Sequence, residues 1–215
     1  MSDLLSFALV TLSAIVVVVD PFAVVPLFLT ITQGDSPEKK RATARKASLV
    51  MTLTLVAFAA AGGFIFRLFG ITLGAFKIAG GVLLFLMAID MLRAQRSRVR
   101  TSPEEEVEGA AKDDVAVIPL GIPMLAGPGS IATVTVLMTQ AAGSTARVAV
   151  VFGCIVLTGL LTFVLLRAAT VVERALKQTG LNILNRIMGL ILAAVAVQFV
   201  VDGIREVFTR LGGES

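Results

Sequence analysis

The chain has 215 residues, 56% of them hydrophobic and 16% charged, with a mean hydropathy of +0.92 and a formal net charge of +4. A soluble domain carries about 25% charge and about 45–50% apolar residues, so this composition excludes an ordinary globular domain and calls for burial against lipid. With no His and a single Cys, imidazole or thiolate metal sites and disulfide frameworks are excluded as well, and no cofactor is expected.

Met1-Ser2-Asp3 precedes the first apolar stretch without a basic n-region or a small-residue cleavage site, which predicts no removable signal peptide. Apolar stretches long enough to cross a bilayer then follow at 4–32, 47–69, 72–92, 115–139, 148–166 and 183–204. The first is too long for a simple perpendicular helix. Residues 171–182, between the last two stretches, read as a short interfacial helix. The expected fold is an all-α membrane protein of six transmembrane helices. Its parts are a first three-helix repeat over residues 1–92, a cytoplasmic linker over 93–114, and a second, inverted three-helix repeat over 115–215. The linker mixes a basic run with Glu104, Glu105, Glu106 and Glu108 and has no apolar pattern.

The repeat is visible in register. A shift of 107 positions places Asp20-Pro21 on Gly127-Pro128 and Thr32-Gln33 on Thr139-Gln140, and a shift of 109 places Lys77-Ile78-Ala79-Gly80 on Arg186-Ile187-Met188-Gly189. Three spans per half is an odd number, so the second copy must be inverted, as in many secondary transporters. Basic residues fall unevenly between the connections. Lys39, Lys40, Arg41, Arg45 and Lys46 lie between spans one and two, and Arg93, Arg96, Arg98, Arg100 and Lys112 between three and four. Arg167, Arg174, Lys177 and Arg186 follow span five. The positive-inside rule places these in the cytoplasm of a bacterial inner membrane, with both termini outside. The same distribution assigns the net positive charge to topology, with no nucleic-acid partner.

Two proline interruptions carry the chemistry. Proline inside a membrane helix removes a hydrogen bond and frees a carbonyl where no water can replace it. Asp20-Pro21 and Gly127-Pro128 break spans one and four at corresponding depths near mid-bilayer. Each also reads as a helix start, since Asp is a favoured cap and Pro a favoured first residue. Helix N-termini present free N–H groups and partial positive charge that suit a carboxylate. Gly127 and Gly129 permit close approach of a ligand to the backbone, and Ser130 and Thr133 add hydroxyls in the following turn. Asp20, the sole carboxylate deep in the apolar core, is either a plain cap or also the contact for a substrate ammonium or coupling cation.

Other polar positions read as structural. Lys77 and Arg186 are expected to snorkel to the interface, and Asp90/Arg93 and Asp202/Arg205 to form surface ion pairs. Gln198 is expected to bond a neighbouring helix, and Gly62-Gly63 and Gly80-Gly81 to allow close packing.

At its two breaks the sequence resembles the MarC family of integral membrane proteins, related to neutral amino-acid transporters of the SnatA type. The first family motif stands here as Asp20-Pro21-Phe22-Ala23-Val24-Val25-Pro26-Leu27-Phe28. The second runs from Pro119 through Pro123 and Ala126-Gly127-Pro128-Gly129-Ser130 to Thr133, and Phe76-Lys77-Ile78-Ala79-Gly80-Gly81 with Asp90-Met91-Leu92 resembles the third span. The likeness covers essentially the whole chain. Ala23-Val24 departs from the family's Gly-Asn, which removes an amide and bears on the substrate more than on the architecture.

The resemblance implies transport of small neutral amino acids or similar solutes. Its expected substrate-binding set is Asp20, Pro21, Pro26, Gly127, Pro128, Gly129, Ser130 and Thr133. The partners would be that solute and the lipid bilayer, with a homo-oligomer compatible. The rival reading is a membrane scaffold or envelope-assembly protein without transport of its own. An intramembrane hydrolase fits poorly, because Ser130 has no His or Cys companion.

Overall fold

A computed structural model describes residues 2–93 and 116–212; the expected linker lies outside the described residues apart from Arg93. Seven helices and one irregular segment follow in chain order among the described residues. They are α1 (Ser2–Val19), α2 (Pro21–Ile31), α3 (Pro37–Phe69) and α4 (Leu73–Leu92), then the irregular segment Ala116–Leu125, then α5 (Pro128–Ala141), α6 (Thr145–Arg167) and α7 (Ala169–Gly212). Among the described residues, five stretches are long and apolar enough to cross a membrane: Asp3–Ile31, Pro37–Phe66, Leu73–Leu92, Thr145–Arg167 and Thr179–Thr209. Large apolar side chains such as Leu53, Phe64, Leu160, Val164 and Leu190 point outward and are exposed. Soluble surfaces rarely show apolar patches of that extent, and lipid is the solvent that suits them.

The stretch expected as span four is not one long helix. Ile118 (φ −129°, ψ 124°) and Ile122 (φ −136°, ψ 128°) are extended. Each precedes a proline, whose Cδ pushes the residue before it out of the helical region. Regular helix resumes only at Pro128. The chain nevertheless advances along α3 in parallel. Gly121 lies against Val50, and Gly62 lies against Thr135, so the segment and α5 follow twelve residues of α3, about 18 Å at 1.5 Å per residue.

Contacts between helices fix the remaining directions. α3 and α6 run antiparallel, with Gly159 against Met51 and Thr52. α1 and α6 run parallel: Arg147 Nη2 donates to Asp3 Oδ2 at 2.7 Å, and Cys154 Sγ lies 3.7 Å from the Ala8 carbonyl. α4 and α7 pack antiparallel at backbone distance, Gly74 against Gly203, Gly81 against Ala196, and Gly189 against Ala88 and Met91. A Cβ added at Gly203 would come within 2.7 Å of the Gly74 carbonyl oxygen. Without side chains at these positions, dispersion between the two backbones replaces a hydrophobic drive that lipid cannot supply.

The core divides in two. One cluster joins α1, α2, α3, the irregular segment, α5 and α6 around Val19, Val25, Phe28, Leu55, Leu120, Leu125 and Ile155. A second joins Leu84, Met87 and Met91 of α4 to Leu192 and Ala196 of α7, with Val18 of α1. The turn expected as a basic loop between the first two spans is largely helical. Ser36 caps α3 by accepting from Lys39 N–H at 3.3 Å, and Pro37 follows as the first residue. The expected interfacial helix over 171–182 is the first part of α7, interrupted where Lys177 takes φ 52° and ψ 179°.

Candidate functional site

The Asp20 break is built by the local sequence. Asp20 N–H still donates to the Val16 carbonyl at 2.9 Å and so closes α1. Its backbone then turns left-handed (φ 45°, ψ 66°), a region that Asp tolerates better than most residues. From there its carboxylate accepts from Ala23 N–H at 3.4 Å, and Pro21 begins α2. One residue thus ends one helix and caps the next. Asp20 is fully buried, and a carboxylate at that depth is tolerated only where dipoles or partners compensate it. Pro21 is buried and Pro26, inside α2, is half-buried. The missing N–H of Pro26 falls in the first turns of a short helix.

The second break is made differently. Gly127 (φ −78°, ψ 174°) occupies the cap position of α5 with no side chain to cap it, and Pro128 is the first helical residue. Ser130 Oγ reaches back to the Leu125 carbonyl at 3.0 Å, satisfying an acceptor freed by the irregular segment. Thr133 Oγ1 donates to the Gly129 carbonyl at 2.9 Å. Both hydroxyls are buried. In this conformation their protons are committed to α5 and the turn before it, while their lone pairs remain available as acceptors.

The two breaks are neighbours. A Cβ on Gly129 would lie 3.5 Å from Val18 Cγ1, two residues before Asp20, and only 2.6 Å from Leu84 Cδ2. Gly127, Gly129, Ser130 and Thr133 are all buried, whereas Pro128 is exposed. α4 therefore packs Leu84 and Met87 against the α5 break at Gly129.

Several residues stand elsewhere than expected. Lys77 does not snorkel: it is buried and its Nζ lies 2.8 Å from Glu206 Oε2, tying α4 to the end of α7. Gln198 donates to Asp202 of its own helix at 2.8 Å instead of bonding a neighbour. Sequence reasoning also missed a surface contact at the N-terminal end. There the Arg147 guanidinium pairs with Asp3 and lies 5.3 Å from the Phe7 ring centroid. Both residues were visible in the sequence, but their separation of more than a hundred positions hid the pair.

Similar turns precede α3 and α6. Gly34 (φ 86°) and Gly143 (φ 88°) take the same left-handed turn. Ser36 and Ser144 then cap α3 and α6, accepting from Lys39 N–H and Arg147 N–H.

The family model for MarC family integral membrane proteins matches residues 5–208. A UPF0056 membrane protein of Methanocaldococcus jannaschii is 39% identical over 94% of this chain and 97% of its own length. A second, YvbG of Bacillus subtilis, is 36% identical over 96% and 98%, and a third, YhcE of Escherichia coli, is 32% identical over 90% and 89%. No solved structure matches at a significant level. The chain belongs to the MarC family of integral membrane proteins.

Proposed function

We propose that this protein is a secondary transporter of small neutral amino acids or similar zwitterions across the bacterial inner membrane. The observation that carries the reading is the pair of adjacent helix starts at Asp20 and Gly127, one with a buried carboxylate and the other with an uncapped N-terminus. A zwitterion needs both a positive and a negative partner at close range. Free N–H groups of the first turn of α5 suit its carboxylate, and Asp20 suits its ammonium. Ser130 and Thr133 offer acceptors beside them, and Pro21, Pro26, Gly127, Pro128 and Gly129 shape the backbone.

The architecture that goes with this reading has six crossings in two inverted repeats. The irregular segment and α5 form the sixth crossing, since they run beside α3 from the Val50 level past Gly62. The matched turns at Gly34/Gly143 and caps at Ser36/Ser144 support the repeat, as does the antiparallel pairing of α4 with α7, the third span of each half. Lys39, Lys40, Arg41, Arg45 and Arg167 gather at one end, which the positive-inside rule makes cytoplasmic, with the N-terminal end outside. Alternating access would move one set of helices against the other around the breaks.

Counterflow of labelled glycine and alanine in proteoliposomes, with and without a pH gradient, tests the function. The expected result is saturable exchange that Asp20→Asn reduces at least about tenfold, the loss of one charge-assisted contact. Exchange absent for every neutral amino acid, with a stable protein partner recovered instead, favours the scaffold reading.

A further inference from the structure

A cavity of about 450 Å³ opens at the basic end of the molecule, between the end of α2, the first turn of α3 and the junction of α6 with α7. Its floor is apolar: Phe28 and Leu166 both belong to the core and are buried. Its rim is cationic. Lys40 and Arg41 come from α3 and Arg167 from the last residue of α6, and the Thr170 hydroxyl of α7 adds a donor. Two carboxylates also line it. Asp35 is engaged by Lys39 Nζ at 2.7 Å, which leaves Glu38 as the acidic group set against three cations.

A cationic rim at the membrane surface is the complement of an amphiphile with a negative head. Its position agrees, since the basic residues between spans mark the headgroup level of the membrane. A neutral zwitterion would call for balanced charge, and a free phosphate lacks the chains that hold a lipid headgroup at this level. We propose that this cavity binds the phosphodiester headgroup of an anionic membrane lipid whose acyl chains stay in the bilayer. Arg41 and Arg167 hold the phosphate from two different elements, so the bound lipid clamps the end of α6 to the start of α3. Glu38 opposes it.

The test is a titration of short-chain phosphatidylglycerol into the purified full chain in neutral detergent, read as a rise in unfolding temperature. Short-chain phosphatidylcholine and soluble glycerol phosphate form the comparison arms. Phosphatidylglycerol is expected to bind while the other two do not. Arg41→Gln and Arg167→Gln are each expected to weaken it about fivefold, from the typical contribution of one basic residue at an anionic surface. Glu38→Gln should tighten it by a similar factor, an outcome that a damaged fold would not produce. Arg45→Gln, exposed on α3 and outside the cavity lining, should change affinity less than twofold. Equal binding of phosphatidylcholine, equal binding of glycerol phosphate, or a loss with Arg45→Gln as large as with Arg167→Gln would each overturn the proposal.

Discussion

At the scale of single residues, Asp20 does two things that substitution can separate. Its left-handed backbone and its cap are structural, whereas the proposed function gives its charge the substrate ammonium to hold. Asn tolerates the left-handed region and caps as well as Asp, so Asp20→Asn should unfold at nearly the wild-type temperature in detergent while losing exchange. Asp20→Ala loses the cap and strains the backbone, and should cost about 2 kcal/mol. Equal destabilisation by Asn and Ala would make the role of Asp20 structural alone. Gly129 offers a second test. Gly129→Ala drives a Cβ toward Leu84, a fully buried side chain, and overpacking of this kind costs about 1–3 kcal/mol. Adding Leu84→Ala should recover part of it, so that the double variant loses less than the sum of the two single losses. The sequence announced Asp20 and Gly129 through proline, carboxylate and glycine placed together. It could not show that Leu84 and Met87 pack against Gly129, because that contact depends on how α4 is positioned.

At the scale of elements, the α4–α7 pair rests on backbone contact. Gly74→Ala and Gly203→Ala each place a Cβ within 3.0 Å of a carbonyl oxygen on the opposite helix. A backbone cannot yield as a side-chain tip can, so both should lower the unfolding temperature clearly. Gly63→Ala has nothing within 4 Å of its Cβ and should be neutral or stabilising by up to about 1 kcal/mol through helix propensity. A uniform response to all three would mean that α4 and α7 do not meet at their glycines. Helix starts were the most legible elements: Asp20-Pro21, Ser36-Pro37 and Gly127-Pro128 all combine a cap position with proline. The irregular course of 116–125 was legible in principle from Pro119 and Pro123, each of which restricts the residue before it. Hydropathy masks it, because an extended isoleucine is as apolar as a helical one. The turn at Lys177 has no signature of that kind, since lysine carries no preference for positive φ.

At the scale of the whole molecule, the structure separates a larger core around α3 and α6 from a smaller one shared by α4 and α7. The breaks lie where the two meet, with Val18 and Gly129 against Leu84. Arg147, Asp3 and Phe7 meet in an exposed contact at the N-terminal end, where a cavity of about 660 Å³ opens between the end of α3, the start of α4 and the end of α7, while the opposite end carries the cavity over Phe28. The all-helical membrane class was legible from hydropathy; the two-core division was not, because it is a property of contacts between helices.

In the proposed function, the paired breaks form a polar site that a solute reaches when α4 moves away. Ser130→Cys, in a Cys154→Ser background, places a single thiol at the α5 break, where Ser130 is now buried. Its rate of modification by a small membrane-impermeant thiol reagent is the decisive measurement. The account predicts modification in flux-competent membranes and a severalfold slowing by the transported amino acid. A thiol that never reacts while exchange proceeds, or one whose rate ignores every substrate of that exchange, would contradict it.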